Sequence, residues 1–134
     1  MKYLYPATFE PVKEDNAIYV RFPDFENCFT DGETPTEAAE YAEDALNMWM
    51  LHLERNGDHI PAPTNIQDIE IPKGGYVMMI PADTVAYARA TDNKAVRKNV
   101  SIPSWLNTLA TEKNINFSNV LQNALMRELG IRPA

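Results

Sequence analysis

Hydrophobic and polar positions along the first thirty residues predict three short antiparallel strands. The first apolar run covers Tyr3 to Phe9 and the second covers Ala17 to Phe22, and both are rich in β-branched and aromatic residues. The polar cluster from Lys13 to Asn16 between them predicts a hairpin turn. A third strand is expected near Asn27 to Thr30, closing at Asp31-Gly32.

A long helix is predicted next. Thr34 is a strong start, because its hydroxyl and the side chain of Glu37 can satisfy exposed backbone donors of the first turn. Pro35 suits that turn, and Gly57 supplies a C-terminal stop. An apolar stripe at helical spacing is expected to cover the sheet through Ala38, Tyr41, Ala42, Ala45, Met48, Trp49, His52 and Leu53. The opposite face is acidic and carries Glu37, Glu40, Glu43 and Asp44.

The stretch after Gly57 is rich in proline and glycine and predicts a loop, interrupted by a candidate short strand from Ile66 to Ile71. The apolar run from Tyr76 to Ile80 predicts a further strand. The order strand, strand, strand, helix, strand describes an α+β unit. Thr91-Asp92-Asn93 is expected to be a hinge that leads to a second part of the chain.

The second part begins with strict alternation between Val96 and Ile102, which predicts a single strand. One face carries Val96, Val100 and Ile102, and the other carries Arg97, Asn99 and Ser101. These three polar side chains can pair with base edges, since Arg suits guanine, Asn suits adenine and a hydroxyl suits either. An isolated polar strand face is more often simply solvated, so the pattern alone does not establish DNA binding.

Two helices are expected after this strand. Pro103 suits the first turn of one, and Ser118 is expected to cap the other, which ends at Gly130. The segment from Lys94 to Ala134 has only 41 residues, with no disulfide or metal motif. A unit of this size rarely buries enough apolar surface alone, and its single strand has no local partner. We therefore expect two copies to pair as a homodimer.

The net charge changes sign at the boundary between these two parts of the chain. Residues 1–93 carry 17 Asp and Glu against 6 Lys and Arg, a net charge of −11, whereas residues 94–134 carry 2 against 6, a net charge of +4. The two sum to the overall −7. Such an asymmetry indicates two surfaces that meet two kinds of partner, although an acidic domain with a mildly basic tail is the simpler alternative.

Other features narrow the class of protein. The N-terminus lacks the apolar run of a signal peptide, and no stretch approaches the ~18 apolar residues of a membrane span, so we expect a soluble, cytoplasmic protein. Cys28 is the one cysteine and is expected to be a buried thiol. His52 and His59 are separated by Gly57, which argues against a shared metal site. No metal, cofactor or catalytic triad is predicted.

Two sets of motifs resemble the HicB family of antitoxins. The C-terminal run from Asn93 to Asn107 (NKAVRKNVSIPSWLN) and the run from Asn114 to Gln122 (NINFSNVLQ) are similar to the ribbon-helix-helix module of that family. The N-terminal part is similar through Tyr5-Pro6-Ala7, Phe22-Pro23-Asp24-Phe25, Cys28-Phe29-Thr30, Gly32-Glu33-Thr34 and Glu37-Ala38. The resemblance covers nearly the whole chain.

The resemblance implies a partial RNase H-like domain over residues 1–90 that binds a small basic RNA-cleaving toxin of the HicA type. It also implies a ribbon-helix-helix domain over residues 91–134 that dimerises, or forms a higher oligomer, and represses the operon. By position, the groove-reading residues would be Arg97, Asn99 and Ser101, while Lys94 and the backbone amides of Ser118 and Asn119 would hold phosphates. Lys98 departs from the pattern, since it occupies an inward position that is usually apolar.

For the toxin-binding surface we expect a contribution from the region of Asp24, Phe25, Glu26 and Phe29. Two other functions stay open. A stand-alone ribbon-helix-helix repressor would use the N-terminal domain as a sensor, and an RNase H-like nuclease would need carboxylates converging on metal ions. The nearest candidates for that set are Asp24, Glu26, Asp31 and Glu33. A partner-facing acidic surface is favoured over a metal site, so we expect a protein that is not an enzyme.

Overall fold

The structure is a computed structural model that describes residues Met1–Arg132. The chain divides into two compact units, Met1–Lys94 and the chain from Ala95 onward. The first unit contains a sheet and two helices, and the second contains two further helices. The α+β class expected from the pattern is confirmed. Among the described residues, no helix is long and apolar enough to cross a bilayer.

A four-stranded antiparallel sheet organises the first unit. Its strands are β1 (Lys2–Val12), β2 (Ala17–Arg21), β3 (Phe29–Gly32) and β4 (Tyr76–Asp83), in the order β3-β2-β1-β4. The predicted sequence of strands is confirmed, but β3 starts later than expected and includes Asp31 and Gly32. Gly32 belongs there because a Cβ atom at this position would lie 2.5 Å from the Ala38 amide nitrogen. The glycine therefore lets β3 approach the next helix closely.

Helix α1 (Pro35–Asn56) begins and ends where the sequence predicts. The Thr34 hydroxyl accepts from the Glu37 amide at 3.1 Å, and a Glu37 carboxylate oxygen accepts from the Glu33 amide at 3.2 Å. At the other end Gly57 adopts φ 67°, a left-handed conformation that glycine takes without steric penalty.

The buried face of α1 agrees with the predicted one only in part, through Ala38, Ala42 and Leu53. Its core residues are Ala38, Ala42, Leu46, Met50 and Leu53, which recur at three and four positions along one side of the helix. Tyr41, Met48 and His52 were expected to face inward, but all three are exposed. Neighbouring residues of a helix point about 100° apart, so a stripe read one position away falls beside the core instead of on it.

The core lies between α1 and one face of the sheet. Its largest fully buried apolar side chains include Phe9 and Val20 from the sheet, Phe22 after β2, and Leu46 and Met50 from α1. Cys28 is buried, as predicted, and the partly buried Trp49 packs against this core. The sheet face and the helix stripe thus complete each other within one unit.

The loop between α1 and β4 corrects another prediction. Ile66–Asp68 forms a short 3-10 helix where a strand was expected, and Ile66 and Ile71 are both exposed. The four strands of the sheet in the described residues do not include positions 66–71, so the apolar spacing there does not produce a strand. Side chains pin the loop instead, because Asp24 accepts from the Thr64 amide at 3.1 Å and from its hydroxyl at 2.6 Å. The Tyr5 hydroxyl also donates to the Pro61 carbonyl.

Helix α2 (Thr84–Thr91) was not predicted. Asp83 caps it by accepting from the Ala86 amide at 3.1 Å, and the buried Thr84 hydroxyl donates to Glu54 of α1 at 3.0 Å. Asn47 of α1 accepts from the Asp83 amide at 2.9 Å. These polar contacts hold α2 against α1 in place of an apolar stripe, which explains why hydrophobic periodicity missed it.

The second unit contains α3 (Ser104–Glu112) and α4 (Phe117–Glu128). The predicted N-cap of α4 at Ser118 is wrong, because Asn116 occupies that position and accepts from the Asn119 amide at 3.1 Å. Within the single chain, positions 92–103 carry no assigned helix or strand. The ribbon predicted there requires a second copy, so it stays a prediction.

Candidate partner-binding surfaces

The region expected to meet a toxin lies in the β2–β3 connection, and the structure assigns its residues different roles. Asp24 is engaged with Thr64, as described above. Phe25 is buried, with its ring centroid 4.8 Å from that of Tyr5 and 6.4 Å from that of Trp49. Glu26 is exposed, and 66% of the Phe29 surface is exposed. Of these four predicted residues, Glu26 and Phe29 are therefore the ones that are exposed to another molecule.

Glu26 and Phe29 border a recess of about 170 Å³. We call it the β2–β3 recess, and it is lined by Arg21, Phe22, Pro23, Phe25, Glu26, Cys28 and Phe29. Cys28 forms part of its wall, and burial raises the pKa of this thiol to about 12. Two hydrogen bonds fix the recess, from the Phe22 amide to the Cys28 carbonyl at 3.2 Å and from the Phe25 amide to the Phe22 carbonyl at 3.0 Å.

Strand register places Phe29 on the sheet face opposite α1. Phe29 pairs with Arg21, whereas the neighbouring pair of Val20 and Thr30 points to the helix side, where Val20 is buried. Tyr19 shares the outer face with Phe29 and is also exposed. The first unit therefore presents apolar side chains on a face of its sheet that α1 does not cover.

Acidic residues dominate the segment that surrounds this region. Residues 22–54 contain nine Asp and Glu and no Lys or Arg. On α1, Glu40, Glu43 and Asp44 are exposed, whereas Glu37 is engaged in the helix cap. Among Met1–Arg132, no three metal-ligating side chains come together as a metal-binding group, and this includes the four carboxylates weighed above. The segment consequently offers a negative surface.

The DNA-binding candidates lie in the basic second part of the chain. Lys94, Arg97, Asn99 and Ser101 are all exposed. Val96, on the opposite alternation, is 82% exposed, and Trp105 of α3 is 66% exposed. Further apolar side chains stand exposed on the second unit, including Val100, Ile102, Leu106, Leu109, Phe117, Val120, Leu121, Leu125 and Leu129.

Ser118 and Asn119, whose backbone amides are predicted to hold phosphate, lie in the first turn of α4. Asn119 donates its amide to the Asn116 side chain, so this amide is already engaged in the single chain. Asn116 was missed by the sequence analysis, although an Asn three residues before Asn119 is a recognisable capping signal.

Comparisons with known proteins agree with these features. A profile described as the HicB-like antitoxin of bacterial toxin–antitoxin systems matches residues 5–124. Antitoxin HicB 1 of Photorhabdus laumondii subsp. laumondii is 39% identical over 70 residues, which are 51% of this chain and 44% of that protein. The alignment thus spans less than half the length of this curated relative.

Solved structures extend the similarity over both units. A chain of a toxin–antitoxin complex from Streptococcus pneumoniae superposes with a TM-score of 0.64 at 25% identity, covering 96% of this chain and 99% of that one. The antitoxin HicB3 gives a TM-score of 0.50 at 26% identity, covering 98% and 100%. HicB of Burkholderia pseudomallei shares the fold, with a TM-score of 0.54 at 19% identity over 95% and 98%. Because the family profile matches nearly its whole length, this chain belongs to the HicB-like antitoxin family of bacterial toxin–antitoxin systems.

Proposed function

We propose that this chain binds and neutralises a HicA-type mRNA-cleaving toxin through its first unit and represses its own operon through its second. Family membership and the division of charge support this pairing of roles. A toxin that cleaves mRNA must attract a polyanion, so an acidic unit suits it as a partner, whereas a basic unit suits DNA. We place the protein in the cytoplasm, where both partners occur.

The proposed DNA-binding role of the second unit rests on the exposed apolar surface of that unit. Val96, Trp105 and Leu129 are among twelve large apolar residues that stand exposed from Val96 to Leu129. Large exposed apolar patches mark interaction sites, and positions 92–103 lack a partner strand in the single chain. A second copy would cover the apolar surface and provide the partner strand. The two copies would form a ribbon-helix-helix homodimer whose two strands pair antiparallel.

The paired strands would read the operator. A two-stranded ribbon fits the major groove of B-DNA, and alternation would bring Arg97, Asn99 and Ser101 from each copy to the base edges. Lys94 would lie near phosphate, as would the Ser118 amide at the start of α4, where the helix dipole favours an anion. In the proposed dimer the Asn119 amide would stay hydrogen-bonded to the Asn116 side chain. It would contribute to the helix dipole at the start of α4 without contacting a phosphate itself.

The first unit would act by occlusion and not by catalysis. An antiparallel sheet covered by one long helix is compatible with a partial RNase H-like domain. Asp24, which a nuclease site would need, is committed to Thr64. Purified protein should leave RNA, DNA and hybrid duplexes intact with magnesium or manganese. Metal-dependent cleavage that disappears in Asp24→Asn or Asp31→Asn would establish the nuclease alternative.

Operator binding is tested by measuring affinity for operator and scrambled duplexes across a salt series. Arg97→Ala removes a bidentate base contact from each copy, at about 1 to 3 kcal/mol per contact, so it should erase most of the preference for operator. Lys94→Ala should weaken both duplexes and flatten the salt dependence. An unchanged operator preference in an Arg97→Ala dimer would show that this strand is not the reading element.

The existence of a toxin partner distinguishes the antitoxin from the alternative, a stand-alone repressor. A small basic protein encoded beside this gene, whose growth arrest is relieved by co-expression of this chain, supports the antitoxin. Continued arrest with both proteins soluble would favour a repressor whose first unit senses another molecule.

A further inference from the structure

We infer that the β2–β3 recess is the anchor point for the toxin, receiving one large apolar side chain that has a Lys or Arg beside it. This inference rests on the proposed antitoxin function and specifies where the partner docks. It concerns Phe29 and Glu26, two exposed residues that line the recess.

An exposed apolar side chain borders the recess. Phe29 has 66% of its surface in water, on a strand whose Gly32 approaches α1 closely. A buried aromatic ring removes about 150 to 250 Å² from water, so covering Phe29 is a large gain available to a partner. The adjacent recess of about 170 Å³ is close to the roughly 150 Å³ of a cavity that holds a benzene ring. Its size therefore suits one large side chain.

The recess is formed before binding. Asp24 and Thr64 join the turn after β2 to the loop before β4. Phe25 packs on Tyr5 and Trp49 beneath the recess. A rigid wall lowers the entropic cost of docking, and hot spots of interfaces are typically pockets of this kind filled by a partner's anchor side chain.

Charge selects the partner. The recess is lined by one acidic and one basic side chain, Glu26 and Arg21, but the segment of residues 22–54 that follows Arg21 holds nine Asp and Glu and no Lys or Arg. A protein that binds RNA carries the complementary charge, so its anchor side chain would arrive with a basic neighbour. A second copy of this chain carries a net charge of −7, so the negative segment repels it overall. The recess therefore favours the toxin over self-association.

The experiment measures binding of full-length variants to the small basic protein encoded beside this gene. Phe29→Ala should weaken binding by roughly 30-fold or more, the scale of an interface hot spot. Phe29→Tyr keeps the ring and should retain most of the affinity. Glu26→Lys should slow association, and the effect should shrink at high salt. Matched controls are Tyr41→Ala and Glu70→Lys, which alter exposed residues away from the recess and should bind like wild type.

The outcomes are distinguishable. If wild type binds the toxin but Phe29→Ala binds equally well, the anchor assignment is wrong while the antitoxin function stands. If Tyr41→Ala is the variant that loses binding, the outer face of α1 is the docking surface. If Phe29→Ala changes the oligomeric state without toxin, the occupant is a second copy. Failure of wild type to bind the toxin overturns the proposed function together with this inference.

Discussion

The two units of this chain differ in how much of their apolar surface is buried. The first unit buries its apolar residues between a sheet and α1, and Leu46 at its centre is 0% exposed. The second unit leaves Leu125 and Trp105 about as exposed as surface residues. Their charges also differ in sign, −11 before residue 94 and +4 from there on. The contrast supports the proposal that the first unit has a complete core of its own, whereas the second pairs with a second copy.

The two units differ in apolar burial because they differ in the number of packed layers of secondary structure. A sheet face and a helix stripe in the first unit bury each other, which is the minimum for a core. Two short helices and an unpaired segment provide no second layer, so their apolar stripes stay exposed among the described residues. In the proposed homodimer a second copy would supply that layer, and the following predictions test the contrast.

The largest effect is expected in the core of the first unit. Leu46→Ala should lower the free energy of unfolding by about 2 to 5 kcal/mol, because a fully buried leucine leaves a cavity. Met48→Ala, on the exposed side of the same helix, should change it by no more than about 0.5 kcal/mol. Chemical denaturation of both variants measures this. Equal effects would mean that the buried face of α1 is assigned wrongly.

The second unit should instead respond to protein concentration. If folding is coupled to pairing, a 100-fold increase in concentration should stabilise it by about 2.7 kcal/mol and leave the first unit unchanged. Leu125→Asp should weaken pairing, whereas Ile71→Asp, also exposed but in the first unit, should not. Sedimentation and thermal unfolding over a concentration series provide the readout. A concentration-independent second unit would contradict the dimer.

A smaller effect is expected where side chains hold the loop of the first unit. Asp24→Ala leaves the Thr64 amide and hydroxyl without their acceptor and should cost about 1 to 3 kcal/mol. Asp68→Ala, in an exposed part of the same loop, is the matched control. Hydrogen exchange at Thr64 should rise only in the first variant. Unchanged protection would show that the loop is held by other contacts.

The smallest effect concerns the buried thiol. Burial raises the pKa of Cys28 from 9.0 to about 12, so the fold favours the neutral form. This stabilisation is fully present below pH 9 and is lost as the pH rises toward 12, by at most about 1.4 kcal/mol per pH unit. Cys28→Ala should therefore flatten the decline in stability between about pH 9 and 10, before tyrosines with ordinary pKa values titrate. Parallel curves for both proteins would contradict the burial of this thiol.

In α1, local signals predicted the ends better than the inward face. Thr34 and Gly57 mark the ends correctly, because capping depends on neighbouring residues, although the same kind of signal misplaced the N-cap of α4 at Ser118. The inward face was predicted only in part, since Tyr41 and Met48 are apolar but the sheet covers the side of Leu46. Which side is buried depends on the partner layer, and this information is not local.

The candidate sites show the same limit. The sequence singled out Asp24, Phe25, Glu26 and Phe29 as one region, and the structure separates them into a loop clamp, a core residue and two exposed residues. That division depends on Thr64, which lies 40 positions away from Asp24. Burial and long-range hydrogen bonds decide which residues can reach a partner.

The most direct test of the account is whether the first unit neutralises the toxin alone. The fragment should extend through Lys94, because Thr84 is buried and α2 is bonded to α1. Co-expression of residues 1–94 with the small basic protein encoded beside this gene should restore growth, while the fragment fails to bind operator DNA. Continued growth arrest with both proteins soluble would contradict the division of roles between the two units.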